Sequence, residues 1–133
     1  MKKILTAAVC AILALSGCTP KTDKAAAAAS DFLTAFFDMD MNRAAELCSD
    51  EIAAVLRDTV AVSEFPSEEV YKKVVEASRK TTFKIISSVQ DEDTGEVEVK
   101  YDVFPFGAPK GVAISRTMRL VREDGDWKIV ALE

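Results

Sequence analysis

Arg116 is the residue whose type and position point most directly to chemistry. It lies in a stretch of alternating pattern, and one face of that predicted strand is apolar apart from this arginine: Val112, Ile114, Arg116, Met118 and Leu120. An unpaired guanidinium inside an apolar core costs several kcal/mol. Three alternatives therefore stay open: a bulge turns Arg116 outward, its stem lies on the core while its head reaches water, or it faces a cavity and binds a carboxylate or an anionic ligand.

Two tyrosines and two phenylalanines complete the set of candidate binding residues. Tyr71 and Tyr101 can donate hydrogen bonds into the same cavity as Arg116, although a core position with the hydroxyl at the rim is the plainer interpretation. Phe104 and Phe106 flank a proline just before a glycine-flanked loop. They predict either a contact patch for a protein or ligand, or closure of the open end of the core.

Most catalytic and metal chemistry has no residues to support it. The chain has no histidine, which removes the commonest general base and metal ligand, and its five glycines form no phosphate-binding loop. Asp38 and Asp40 could divide acid and base roles, but Asp40 is the better candidate for a helix N-cap. The acids within 91–93 and 96–98 crowd one hairpin, yet they lack the spacing of an EF-hand loop. We therefore predict no catalytic residue, no cofactor and no metal site.

The order of helical and strand patterns predicts an α+β fold, with N-terminal helices packed on a curved antiparallel sheet of about four strands. Apolar spacing and capping residues predict helices over residues 24–39, 40–47, 50–62 and 67–80. Alternation and turn signals predict strands over residues 83–89, 97–103, 112–123 and 127–132. In the first strand, the alternation places one set of residues on a single face: Phe83, Ile85, Ser87 and Val89.

The first residues have the composition of an export signal. Two lysines precede an uncharged run over residues 4–16, shorter than the roughly 20 residues that cross a bilayer. Leu15-Ser16-Gly17-Cys18 resembles the lipobox of bacterial lipoproteins. The resemblance implies cleavage between Gly17 and Cys18, diacylglycerol on the Cys18 thiol, and a new amino group open to a fatty acyl chain such as palmitate. The alternative is an ordinary secretory peptide with a chance cysteine.

This assignment divides the chain into a signal peptide over residues 1–17, a polar tether over 18–23 and a single domain over 24–133. The net charge of −5 becomes −7 once two lysines leave with the signal peptide, so nucleic acid is a poor partner. No basic patch in the sequence adds to membrane attachment. Cys48 is left without a cysteine partner, and its apolar neighbours at helical spacing favour a buried thiol over a reactive one or an intermolecular bridge.

Residues 24–133 resemble the NTF2-like superfamily, a cone-shaped α+β fold, and within it the small lipoproteins of unknown function. The resemblance rests on the aromatic first helix, the segment FFDMDMNRAAEL and the closing hairpin LVREDGDWKIVAL. A cystatin-like fold is the main alternative. The superfamily contains isomerases, dehydratases, transport adaptors and binding modules, and its enzymes use acids, tyrosines and often histidines at the mouth of the cone.

We therefore expect a lipid-anchored protein of the bacterial cell envelope, attached to a membrane through Cys18. We expect it to bind a small apolar or anionic ligand, or an envelope protein, without catalysis. An isomerase or dehydratase that uses cavity acids and a tyrosine is the alternative, and an accessory structural subunit is a third. Thr19 replaces the aspartate that retains enterobacterial lipoproteins at the inner membrane, which favours the outer membrane where that sorting rule applies.

Overall fold

The computed structural model describes residues 20–59 and 66–133, and within them the chain forms four helices followed by a four-stranded sheet. The helices are α1 (Pro20–Phe37), α2 (Met41–Glu46), α3 (Asp50–Thr59) and α4 (Glu68–Lys80). The strands are β1 (Thr82–Gln90), β2 (Val97–Phe104), β3 (Ile114–Glu123) and β4 (Asp126–Leu132). All neighbouring strands are antiparallel and lie in sequence order, so the predicted α+β class and the predicted strand neighbours are confirmed.

Helix α1 begins at Pro20, four residues before its predicted start. Proline is accepted in the first turn of a helix, where its missing N–H has no partner to lose. Thr22 is only 4% exposed and lies on the same helical stripe as the buried Ala25 and Ala29. Residues 20–23, which the sequence analysis assigns to the tether, are therefore helical, and Thr22 packs with the domain. Gly17, Cys18 and the whole predicted signal peptide lie outside the described residues.

Side chains cap two of the helices as the sequence predicts. The Asp40 carboxylate accepts a hydrogen bond from the Arg43 N–H at 3.2 Å, and the Ser67 hydroxyl accepts one from the Val70 N–H at 3.2 Å. Each bond satisfies one of the N–H groups that a helix start leaves without a partner. The predicted end of the third helix near residue 62 lies outside the described residues.

The core lies between α1 and the inner face of the sheet. Leu120 pairs with Val97 on one side and Ile129 on the other, and all three are fully buried. Phe32 and Leu33 of α1 belong to the same buried cluster. Period-two alternation in β2 sends Glu98, Lys100 and Asp102 to the outer face, whereas in β4 the register shift against β3 leaves Val130 as an extra residue and pairs Leu132 with the core residue Met118.

A β-bulge at Ile86 overturns the predicted alternation of β1. Ile85 pairs with Tyr101 and Ser87 pairs with Lys100, so Ile86 is the extra residue. An inserted residue switches which side chains face the core. Val89 pairs with the outer-face residue Glu98 and is 63% exposed, although the sequence predicts it on the same face as Phe83.

The two edges of the sheet differ. At the β4 edge, the Ile129 N–H donates to the Leu47 carbonyl at 2.9 Å, and the Ser49 N–H donates to the Ile129 carbonyl at 2.8 Å. Residues 47–49 therefore form a strap along β4, with Cys48 paired in parallel to Ile129. At the β1 edge, no strand within the described ranges pairs with the outer side of β1.

Candidate functional site

A concave pocket of about 420 Å³ lies between the C-terminal half of α1 and the sheet. Its lining residues come from α1 and three strands, together with Glu133: Phe32, Leu33, Phe36, Phe37, Tyr101, Val103, Arg116, Leu132 and Glu133. The volume falls within the range of small-molecule sites, roughly 300–1,000 Å³. Apolar walls with a few polar groups are also typical of such sites.

Arg116 stays on the core-facing side of β3, as the sequence pattern predicts. Its backbone pairs in register with Tyr101, and it alternates with the fully buried Met118 and Leu120. No bulge turns it outward, because the register shift of β3 against β4 lies between Arg119 and Leu120. The residue is nevertheless exposed, and it is among those that line the pocket.

The polar side chains of the pocket are those of Arg116, Tyr101 and Glu133. Tyr101 is 7% exposed, and burial raises the pKa of its hydroxyl, while the positive charge of Arg116 acts in the opposite direction. Among the described residues, Arg116 has no carboxylate within 4 Å. The one acid on the lining, Glu133, directs Oε1 to Arg119 Nε at 3.3 Å, although the two groups are not aligned as a hydrogen bond. The pocket therefore presents a guanidinium that forms no ion pair with any described carboxylate.

The apolar wall is a chain of aromatic rings. Phe32 stacks on Phe36 with centroids 5.7 Å apart, and Phe36 meets Phe37 edge to face at 5.4 Å. Phe37 stacks on Phe83 of β1 at 6.3 Å, which joins the end of α1 to the edge of the sheet. The three rings that line the pocket are therefore each held by contact with a neighbouring ring.

The structure brings Arg116 and Tyr101 together but places the other predicted binding residues elsewhere. Tyr71 lies on α4, half-buried, and is not among the residues that line this pocket. Phe104 ends β2 one residue after Val103, which directs it away from the core-facing side. Phe106 lies in the following loop, 56% exposed, with Lys80 Nζ 4.9 Å from its ring centroid.

A second, larger concavity of about 650 Å³ lies beside Cys48 at the α2–α3 junction. The thiol donates a weak hydrogen bond to the Ala44 carbonyl, with sulfur and oxygen 3.4 Å apart, and burial raises its pKa from 9.0 to about 12. A protonated, buried thiol is a poor nucleophile and a poor metal ligand. Lys128 is also occupied there, because its ammonium donates to the Glu46 carbonyl at 2.6 Å.

The acidic residues considered from the sequence have structural partners. Asp40 caps α2, and Asp38 pairs with Arg79 at 3.6 Å, so the two do not form an acid–base pair. Asp91 accepts hydrogen bonds from the N–H groups of Asp93 and Thr94, which builds the hairpin turn. Within residues 20–59 and 66–133, no group of three or more potential metal ligands comes together.

The sequence did not identify the phenylalanines of α1 as binding residues, because their helical spacing predicts core packing. Phe36 and Phe37 are in fact half-buried and line the pocket. The available signal was the width of the stripe, since two adjacent pairs of bulky residues cannot all point into one core.

Comparison of the chain with family models, with curated proteins and with solved structures gives no match. In the described part of the chain, no helix is both long enough and apolar enough to span a membrane. Function must therefore be argued from the pocket itself.

Proposed function

We propose that this protein is a lipid-anchored, NTF2-like binding module of the cell envelope whose pocket takes a small amphipathic anion without transforming it. The observation that supports the ligand class is Arg116. Its exposed guanidinium, with no carboxylate beside it among the described residues, lies at the rim of a pocket walled by phenylalanines. A ligand with an apolar body and an acidic head group matches both parts of this site.

The two ends of such a ligand use different forces. The apolar body removes surface from water against Phe32, Phe36 and Phe37, which contributes about 25 cal/mol per Å² buried. The acidic head accepts two parallel hydrogen bonds from the Arg116 guanidinium. The Tyr101 hydroxyl has no partner among the described residues and is in position to donate a third.

Binding without catalysis is favoured by the protonation chemistry of the lining. A proton transfer at carbon needs a base that faces the substrate, and carboxylate or imidazole groups are the usual ones. The chain has no histidine, and the lining carboxylate Glu133 is engaged with Arg119. An isomerase or dehydratase reaction would therefore need a base that this lining does not offer.

The cellular location rests on the lipobox alone. Labelling cells with a radioactive fatty acid is expected to mark the wild-type protein, and replacement of Cys18 with alanine is expected to abolish the label. An unlabelled, freely soluble wild-type product would contradict the anchor. It would leave the pocket proposal unaffected.

The ligand proposal is tested by titrating the protein with dodecanoate and dodecanol and measuring heat. We expect saturable binding of dodecanoate, weaker binding of dodecanol, and roughly tenfold to hundredfold loss of dodecanoate affinity in Arg116→Met, the range of a charge-assisted hydrogen bond. Arg122→Met is the matched control, because Arg122 is an exposed arginine on the same strand and outside the pocket. Equal affinity for the acid and the alcohol, or an equal loss in both variants, would contradict the proposal.

A further inference from the structure

The two ends of the sheet carry opposite chemistry. In an antiparallel meander, the β1–β2 and β3–β4 turns lie at one end, and the β2–β3 connection lies at the other. We refer to residues 90–97 and 122–127 as the hairpin end, and to residues 79–82 and 104–114 as the loop end. The hairpin end carries seven carboxylates: Asp91, Glu92, Asp93, Glu96, Glu123, Asp124 and Asp126.

The loop end is apolar and basic. Three large apolar side chains are exposed there, with Phe106 at 56%, Val112 at 47% and Ile114 at 42%. Lys110 is exposed between them in the chain and has no ion pair with any described residue. Lys80 lies 4.9 Å from the Phe106 ring centroid, and it also pairs with Glu76 at 2.9 Å.

Local contacts hold Phe106 at the surface. Its backbone N–H donates to the Thr81 hydroxyl at 3.2 Å, and its ring lies against the Lys80 ammonium. Two further backbone hydrogen bonds close the loop: the Ala108 N–H donates to the Pro105 carbonyl, and the Val112 N–H donates to the Pro109 carbonyl. An aromatic ring and a lysine presented together from an ordered loop match the boundary between lipid headgroups and acyl chains.

The overall negative charge does not oppose this contact. The eight residues of β2 span about 26 Å between the two ends. Charges are screened over about 8 Å at physiological ionic strength, so the acids of the hairpin end act on an object at the loop end only weakly. The −5 net charge is thus a poor guide to what the loop end can approach.

We propose that the loop end docks on the surface of an anionic lipid bilayer, with Phe106, Val112 and Ile114 at the level of the acyl-chain boundary and Lys110 among the headgroups. This goes beyond the proposed function, because it requires neither an occupied pocket nor a lipid on Cys18. It would also place the pocket close to the bilayer, because the lining residues Val103 and Arg116 lie in the rows of the sheet nearest the loop end.

The test is a quenching experiment on the full chain mixed with vesicles of phosphatidylglycerol and brominated phosphatidylcholine. Phe106→Trp and Val112→Trp place a reporter at the loop end, and Val89→Trp places one at a residue that is 63% exposed elsewhere. The native Trp127 is 8% exposed and supplies a constant baseline in every variant. We expect the loop-end reporters to lose emission, while the Val89→Trp reporter and the wild-type baseline stay unquenched.

The charge requirement is tested in the Phe106→Trp protein. Lys110→Gln is expected to weaken docking about fivefold, since a lysine near an anionic surface contributes about 1 kcal/mol. Glu92→Gln at the hairpin end is the matched control and is expected to change nothing. Vesicles without phosphatidylglycerol are expected to quench less.

Three results would overturn the docking proposal. The first is a lack of quenching of the Trp reporters at the loop end, and the second is equal quenching of the Val89→Trp reporter. The third comes from chemical crosslinking in cells: Lys110→Gln abolishes a crosslink to an envelope protein while the quenching by vesicles stays unchanged. Dodecanoate titration in the absence of vesicles reports on the pocket separately, so failure of one proposal is distinguishable from failure of the other.

Discussion

The inner face of β3 has two halves, one buried beneath the helices and one exposed. Met118 and Leu120 are fully buried beneath the helices, whereas Arg116 and Ile114, on the same face of the same strand, are exposed. Alternation does not distinguish them, since all four follow one period of two. The difference lies in the cover from the helices, which bury Met118 and Leu120 and leave Arg116 and Ile114 open. The pocket therefore forms where the helical layer stops, and there the strand carries its arginine.

The largest expected effect concerns Cys48. This residue lies next to the buried half of the β3 face, because it pairs with Ile129, which in turn pairs with Leu120. With the pKa of the thiol raised from 9.0 to about 12, the folded protein holds about 10³-fold less thiolate than a free cysteine at pH 8. Alkylation of the Cys48 peptide by iodoacetamide, followed by mass spectrometry, is expected to be slower by about that factor until denaturant is added. Rapid modification without denaturant would contradict this prediction, because it would show that the Cys48 thiol is accessible to solvent in the folded protein.

The same pKa shift predicts how stability depends on pH. Below about pH 9 the thiol is protonated in both the folded and the unfolded chain, so its contribution is fully present. As pH rises from 9 toward about 12, the unfolded chain loses the proton first, and the contribution to the free energy of unfolding is lost.

The next effect compares truncations in the two halves of the β3 face. Leu120→Ala removes a fully buried side chain and is expected to lower the free energy of unfolding by about 2–5 kcal/mol. Ile114→Ala, at a position 42% exposed, is expected to cost less than about 1 kcal/mol. Urea denaturation followed by circular dichroism measures both. Equal losses would show that Ile114 is covered in solution and would remove the distinction between the halves.

The smallest expected effect lies at the boundary between the halves, at Tyr101. Tyr101→Phe keeps the ring and removes the hydroxyl, so dodecanoate affinity is expected to fall about fivefold, the value of one hydrogen bond near 1 kcal/mol. Because burial raises the pKa of Tyr101, its hydroxyl remains a donor through neutral pH, and the loss is expected to be constant from pH 6 to 9. Val103→Ala on the same lining, tested in the same titration, controls for lost packing. An unchanged affinity in Tyr101→Phe would remove the tyrosine from the binding site.

Local signals predicted the fold class and the caps. Asp40 and Ser67 cap helices because the bond joins residues three apart, and the Asp124-Gly125 turn forms because both residues accept positive φ. What the sequence missed depends on distant partners. The Ile86 bulge is set by the pairing of β1 with β2, and the early start of α1 is set by the burial of Thr22.

The candidate site shows the same contrast between features set by nearby residues and features set by distant partners. Arg116 was identifiable because it breaks an apolar face within one strand. Tyr71 does not line this pocket, and nothing near it in the sequence indicates where α4 lies relative to the sheet. The helical spacing of Phe36 and Phe37 predicts core packing. Their place on the pocket lining depends on how α1 lies over the strands, which the spacing does not indicate.

The strap over β4 has a consequence for self-association. A sheet with two open edges can add strands in both directions and grow into a fibril. Here residues 47–49 already occupy the backbone groups of Ile129 in the middle of β4, so strand addition is hindered at that edge and β1 is the more open of the two. Antiparallel pairing of two β1 edges would use up the open edge of each molecule and end at a dimer. The Ile86 bulge and the exposed Lys84 make even that pairing unfavourable, so the fold resists polymerisation from both edges by different means.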